Sequence, residues 1–197
     1  MAIDLKEVSE LRELTGAGMM DCKKALEEAG GDKKKALEIL RKKGAAIAEK
    51  RASKEASQGL IVSYVHNNRI GALLELNCET DFVAKNEKFA ELAKELVMQV
   101  AATNPKYLRT EDVPKSEIEK EEELEREKLT AEKKPPEIIE KILKGKIDKY
   151  FGQVCLLEQN YIKEETITVE DLINEKTAAI GEKIVIKRFV RYELGIK

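Results

Sequence analysis

The chain has no tryptophan, a single histidine (His66) and three cysteines. One histidine rules out a His-based metal cluster. Cys22, Cys78 and Cys155 are odd in number and far apart, so they make neither a disulfide framework nor a zinc site, and they read as small core residues. Four Phe and five Tyr are few for base stacking. No apolar run approaches the ~18 residues of a bilayer span. The start, Met1-Ala2-Ile3-Asp4-Leu5-Lys6, lacks the basic and apolar stretches of a secretory signal. Neither a P-loop nor a Gly-x-Gly-x-x-Gly fingerprint is present, and His66 alone could serve a Cys or Ser nucleophile. Lys plus Arg is 36 and Asp plus Glu is 38, and a net charge of -2 argues against whole-protein nucleic-acid or membrane binding. The expectation is a reduced, soluble, cytoplasmic protein with no metal, no cofactor and no catalytic residues of its own.

What abounds is charge. Asp, Glu, Lys and Arg make up 38% of the chain, against roughly 25% in an average globular protein. Glu outnumbers Asp 31 to 7 and Lys outnumbers Arg 28 to 8. That enrichment is the surface signature of thermophiles. A length of 197 residues allows one or two domains at ~150 residues each and burial of roughly 70% of the unfolded surface.

Residues 1–45 predict a three-helix bundle. Leu5, Val8, Leu11 and Leu14 form one apolar stripe, and Thr15-Gly16-Ala17-Gly18 stops it. Asp21 is positioned to cap a second helix carrying Cys22, Ala25, Leu26 and Ala29. Gly30-Gly31 ends that helix, Asp32 caps a third, and Gly44 closes it. Residues 46–58 form a basic, partly helical linker. From Arg41 to Glu55 the charge is +4, which fits an acidic partner, RNA or plain solvation.

Residues 59–197 predict an α+β core with a small antiparallel sheet. Two strands, Leu60 to His66 and Arg69 to Cys78, flank a two-residue Asn67-Asn68 hairpin turn. Phe89, Leu92, Ala93, Leu96, Val97 and Val100 follow a helical period that ends at Asn104-Pro105. Ser116 to Glu119 reads as a capping box for a glutamate-rich helix running to about Lys133. Pro135-Pro136 break it. A further helix has Ile138, Ile139, Ile142, Leu143 and Phe151 on its core face. Thr168 and Asp171 cap a short helix to about Ala179. The last strand places Ile184, Ile186, Val190, Tyr192 and Leu194 on one side, interrupted by Arg188.

Two places are less ordinary. Met19-Met20 follow the glycine turn, where flexible thioethers suit an apolar groove on a partner. The alternative is one Met in the core and one incidentally outside. Asn77 to Asn86 joins a strand to a long helix, and Thr80 or Asp81 suits its N-cap. Phe82 fits either the first turn of the core face or an aromatic anchor projecting beside a carboxylate.

The stretches Leu11-Arg12-Glu13-Leu14-Thr15-Gly16-Ala17-Gly18-Met19-Met20-Asp21-Cys22-Lys23-Lys24-Ala25-Leu26 and Leu76-Asn77-Cys78-Glu79-Thr80-Asp81-Phe82-Val83-Ala84-Lys85 closely resemble bacterial translation elongation factor Ts. The resemblance covers essentially the whole chain, including Gly181 to Gly195. It implies an N-terminal bundle of the ubiquitin-associated type followed by an α+β core. It also implies exchange of guanine nucleotide on elongation factor Tu. By the same resemblance, Leu11, Arg12, Met19, Met20 and Lys23 dock on the partner's nucleotide-binding domain. Thr80, Asp81, Phe82 and Val83 form the segment that dislodges magnesium, with Phe82 as a wedge between partner helices. Ser63 to Gly71 is similar to a second subdomain of longer relatives, in which the residue matching His66 presses toward the phosphate loop. This chain is too short for two core subdomains plus an inserted helical hairpin, so the resemblance implies a homodimer. The competing class is an RNA-binding or ubiquitin-type adaptor using the bundle and the basic segment.

Overall fold

The computed structural model describes residues 3–132 and 134–195. The chain opens with α1 (Leu5–Thr15), α2 (Met19–Glu28) and α3 (Lys33–Arg51). Asp4 caps α1 by accepting from the Lys6 N–H. Asp32 caps α3 by accepting from the N–H groups of Lys34 and Lys35, donors that the helix itself leaves unpaired. Val8, Leu11, Cys22, Ala25, Leu26, Ala36 and Leu40 form a small core. Leu5 and Leu14 are exposed, and only Val8 and Leu11 of the expected stripe are buried. Steps of three residues drift by about 60° each, so the two ends of the stripe lie on opposite sides of the helix. Nor does Asp21 cap α2. The helix starts at Met19 with Gly18 at the N-cap, and the Asp21 carboxylate pairs with Lys43 Nζ at 2.5 Å.

Gly44 does not close α3, which runs through it to Arg51. Here α3 crosses α8 (Val169–Ile180), and a Cβ on Gly44 would lie 3.4 Å from the Asn174 backbone oxygen. The missing side chain permits a close helix crossing rather than a stop. One turn earlier, Arg41 Nε donates to Glu175 of α8 at 3.1 Å, and its Nη2 donates to Glu164 at 3.2 Å.

In the core, β1 (Gln58–His66) and β2 (Ile70–Cys78) form an antiparallel hairpin. Asn67 and Asn68 both take positive φ (49° and 54°), and the Arg69 N–H donates to the His66 carbonyl at 3.0 Å. The connection spans Asn67, Asn68 and Arg69 rather than two residues, because His66 pairs with Ile70. β5 (Val185–Glu193) pairs with the other side of β2, giving the order β1-β2-β5. α5 (Glu87–Thr103) covers one face, where Phe89, Leu92, Leu96 and Val100 share a core with Leu74, Leu76 and Ile186. Each such side chain contributes about 1.5–3 kcal/mol by leaving water. β3 (Asn160–Tyr161), β4 (Glu164–Thr168) and α8 complete this core, with the expected Thr168–Asp171 capping box at the start of α8. The architecture is α+β, as expected.

The last strand does not keep one face. Glu75 pairs with Arg188, but Leu76 pairs with Ile186, so Lys187 is an extra residue on β5. A bulge of this kind swaps the faces beyond it. Ile184 and Ile186 are buried, whereas Val190, Tyr192 and Leu194 are exposed. Phe189 packs on the core instead, and Arg191 Nε donates to the Ala101 carbonyl near the end of α5 at 3.0 Å. Ile61, Val65, Leu73, Val190 and Tyr192 thus lie uncovered on the sheet face away from α5.

α6 (Lys115–Ala131) and α7 (Pro136–Val154) pack together as a helical hairpin. The predicted end near Lys133 falls outside the described residues; α6 itself ends at Ala131. Its predicted capping box is absent, since the helix starts at Lys115 after Pro114. The Glu117 carboxylate accepts from the Tyr107 and Tyr150 hydroxyls instead, at 2.9 and 3.2 Å. On α7, Ile139 and Leu143 are buried and Ile138 is exposed.

Burial raises the Glu175 carboxyl pKa, and Arg41 pulls it back only in part. A folded pKa above the unfolded one means that ionising Glu175 costs stability as pH rises through it, and Arg41 offsets that cost. Arg41→Ala is therefore expected to destabilise by about 1–3 kcal/mol at pH 7, and by clearly less near pH 4. Urea midpoints at the two pH values check this. Gly44→Leu, which forces α3 off α8, is expected to cost about 1–3 kcal/mol at both.

Candidate functional site

Between β2 and α5 the chain makes a separate four-residue helix, α4 (Asp81–Ala84). Thr80 is its N-cap, with its hydroxyl oxygen accepting from the Val83 N–H at 3.4 Å. Asn86 then starts α5 afresh, accepting from the Lys88 N–H at 2.9 Å. That second cap resets the helical phase, so the stripe of α5 does not extend back to Phe82. Phe82 is 85% exposed, which rejects the core reading and leaves the projecting one. Val83 and Ala84 pack against the core in its place. Asp81 is exposed beside Phe82 and accepts from Lys85 Nζ at 2.8 Å. That hydrogen bond holds the Asp81 carboxyl below the usual range.

The corner is held from three sides. Glu182, in the turn after α8, accepts from the Thr80 N–H at 3.0 Å and from the Thr80 hydroxyl at 2.6 Å. Glu79 Oε1 accepts from the Lys183 N–H at 2.6 Å and from Arg51 Nη1 at 2.8 Å. These donors, the Lys183 N–H foremost, lower the Glu79 pKa. Lys183 Nζ in turn donates to the Ala52 and Lys54 carbonyls just beyond α3, at 2.7 and 2.9 Å. None of these partners was visible in the sequence, because each contact joins residues far apart in the chain.

Met19 and Met20, in the first turn of α2, are 46% and 62% exposed. Neither fills the core, which removes the alternative of one Met inside. Arg12 of α1 and Lys23 of α2 are exposed, and Lys23 lies 3.8 Å from Glu27. Leu11 is buried in the bundle core and is not itself exposed. The glycine turn before Met19 abuts α8, since a Cβ on Gly16 would lie 3.6 Å from that of Ala179. Ala179 lies one turn before Glu182, so the glycine turn and the Thr80 cap both approach the C-terminal end of α8.

His66 does not join them. It sits at the tip of the β1–β2 hairpin, with Tyr64 Oη 3.0 Å from Nδ1 and Asn67 Nδ2 3.2 Å from Nε2. The nine residues of β2 separate it from Thr80 by roughly 25 Å at ~3.3 Å per residue.

Among the described residues, no group of three or more His, Cys, Asp or Glu side chains could hold a metal, and no helix is long and apolar enough to cross a membrane. Burial pushes the Cys78 and Cys155 thiols up to about 11, so both are protonated, poor nucleophiles at neutral pH.

Phe82 beside Asp81, and Met19 with Met20, thus leave large apolar side chains exposed at two places on the surface. Comparison with known sequences gives the family. The profile described as "Elongation factor TS" matches residues 8–196. Elongation factor Ts of Thermotoga petrophila is 59% identical over 196 residues, covering 99% of this chain and 98% of the relative. That of Thermodesulfovibrio yellowstonii is 55% identical over 195 residues, with the same coverage. That of Carboxydothermus hydrogenoformans is 56% identical over 189 residues, covering 95% of this chain and 87% of the relative. The chain belongs to the elongation factor Ts family and is a translation elongation factor of protein biosynthesis. Its relatives include those of thermophiles, in keeping with the Lys/Glu-rich surface.

Since Phe82 makes little packing contact, Phe82→Ala is expected to change stability by no more than about 0.5 kcal/mol. Calorimetric and urea unfolding of the variant check this.

Proposed function

We propose that this chain is a guanine-nucleotide exchange factor for elongation factor Tu, acting in the cytoplasm. The observation that carries this is Phe82, an aromatic held out in water at the end of a rigid core. Exposing so large an apolar side chain loses burial energy that only a partner's pocket restores. The reading takes residues 1–45 and 59–197 as two working parts joined by 46–58. Arg12, Met19, Met20 and Lys23, with Leu11 in the bundle core, engage the partner's nucleotide-binding domain. Thr80, Asp81, Phe82 and Val83 engage the magnesium site.

The chemistry needs no catalytic group, metal or cofactor on this chain. GDP is held by its phosphates, by magnesium and by backbone donors. A factor that binds the nucleotide-free partner better than the GDP-bound one weakens GDP by the same factor that GDP weakens it. Phe82 supplies energy realised only when the magnesium site is distorted. The Asp81 carboxylate, ionised at neutral pH, disturbs the groups around the ion's water shell. Without magnesium, the phosphates face uncompensated negative charge. Each ~1.4 kcal/mol of differential binding is about tenfold in GDP affinity. GDP and GTP exchange are both accelerated, and neither equilibrium is set. Neither nucleic acid nor membrane takes part.

We also propose that the chain works as a homodimer. The roughly 25 Å between His66 and Thr80 keeps them from meeting at one nucleotide site within a monomer. A second copy packed on the outer sheet face would bring its own hairpin, with His66 directed toward the phosphate loop, into reach. The exposed row around Leu73, Val190 and Tyr192 supports this.

Release of a fluorescent GDP from elongation factor Tu tests the exchange. The native chain is expected to accelerate release and excess magnesium to slow it. Asp81→Ala and Phe82→Ala are expected to lose at least about tenfold in rate, roughly 1.4 kcal/mol. No acceleration by the folded native chain would refute the function. For the dimer, sedimentation is expected to show two copies natively and one for Tyr192→Lys. A native monomer would refute it.

A further inference from the structure

We infer that Glu182 is a positioning residue, which acts through Thr80 to hold Phe82 in its docking orientation. The inference rests on the exchange reading above. α4 has four residues, too few to be stable alone, since a helical nucleus is costly. Phe82 is 85% exposed, and the Asp81 side chain accepts from Lys85 one turn on. Neither side chain fixes its own direction, so the ends of the turn must do so. At the far end, Val83 and Ala84 rest on the core and Asn86 caps α5. The near end hangs on Thr80.

Glu182 takes both polar groups that Thr80 can donate. One carboxylate oxygen accepts from the backbone N–H at 3.0 Å and the other from the hydroxyl at 2.6 Å. Two bonds to a carboxylate are charge-assisted and set both the backbone and the rotamer. With its proton committed to Glu182, the Thr80 hydroxyl keeps its lone pairs for the Val83 N–H. The direction of α4 therefore depends on Glu182.

Glu182 is itself fixed. Gly181, at φ 85°, ends α8 immediately before it. Lys183 immediately after it bonds to Glu79 and to the carbonyls beyond α3. The same turn thus reads the positions of α8, β2 and the end of α3, and passes them to Phe82. An anchor ordered in advance avoids the entropy cost of ordering a loop on binding.

A merely structural Glu182 would lower stability and act alike in any background. The test is GDP release from elongation factor Tu with Glu182→Ala, Glu182→Gln, Phe82→Ala and the Glu182→Ala/Phe82→Ala double variant. Glu182→Ala is expected to lower the maximal release rate about tenfold and to shift the half-saturating concentration by no more than about twofold, because the bundle contacts persist. Glu182→Gln, which keeps one acceptor oxygen, is expected to lie between native and Ala. In the Phe82→Ala background, adding Glu182→Ala is expected to change the rate less than about twofold, since both act through one side chain. Hydrogen exchange of residues 80–84 is expected to quicken about tenfold in Glu182→Ala while the α5 amides stay protected. An unchanged maximal rate in Glu182→Ala, or an equal loss with and without Phe82, would overturn the positioning role alone. Native-rate release by Phe82→Ala would overturn the role of Phe82 and this inference with it, whereas no acceleration by the native chain would overturn the exchange reading itself.

Discussion

A three-stranded sheet has two faces, and this chain supplies a long helix for one of them. That constraint organises the core. Packing α5 against β2 and β5 buries Phe89, Leu92 and Leu96 over Leu74, Leu76 and Ile186. To lay α5 there, the chain must turn sharply after β2 and cross back over the sheet. The turn is too tight for one continuous helix, so α4 and α5 carry separate caps at Thr80 and Asn86. Phe82 stands in the gap between the two helical phases, and its exposure follows from that break. The same constraint leaves Leu73, Val190 and Tyr192 uncovered on the other face, where a second copy is proposed to pack.

The second organising contact is the crossing of α3 over α8. Gly44 lets the two backbones approach, Arg41 ties them through Glu175, and Arg51 reaches Glu79 at the end of β2. The N-terminal bundle is thus fixed to the corner that bears Phe82. Its methionine surface and the corner are positioned together by the geometry of one helix pair. In the proposed exchange, docking of the bundle then sets where the aromatic lands.

Much of this was legible in the sequence where the signal is local. Asp32, Thr168 and Asp171 cap as their residue types predict, and Asn67 and Asn68 take the positive φ that asparagine tolerates. The helical period of α5 and the break between α6 and α7 at the proline pair are local signals of the same kind. What failed depends on partners distant in the chain. A glycine that ends a helix and one that admits a crossing helix look alike in one dimension, which is why Gly44 misled. The bulge at Lys187 turned Val190 and Tyr192 outward, and Arg188 in an apolar row was its only trace. Leu5 and Leu14 failed on geometry, since a strict step of three winds off the buried face. At the candidate site, spacing left Phe82 open between core and anchor, and only the second cap at Asn86 decided it. Glu182, Glu79 and Arg51 carried no signal at all, because their contacts exist only after the fold is made.

Exchange by differential binding is the central claim, and affinity measures it most directly. Isothermal titration of this chain into elongation factor Tu would be run twice, nucleotide-free and with saturating GDP. The claim predicts tighter binding to the nucleotide-free form by about a hundredfold, with GDP affinity weakened by the same ratio when the chain is saturating. Equal affinity for the two forms would contradict it, because a ligand without preference between two states cannot shift them.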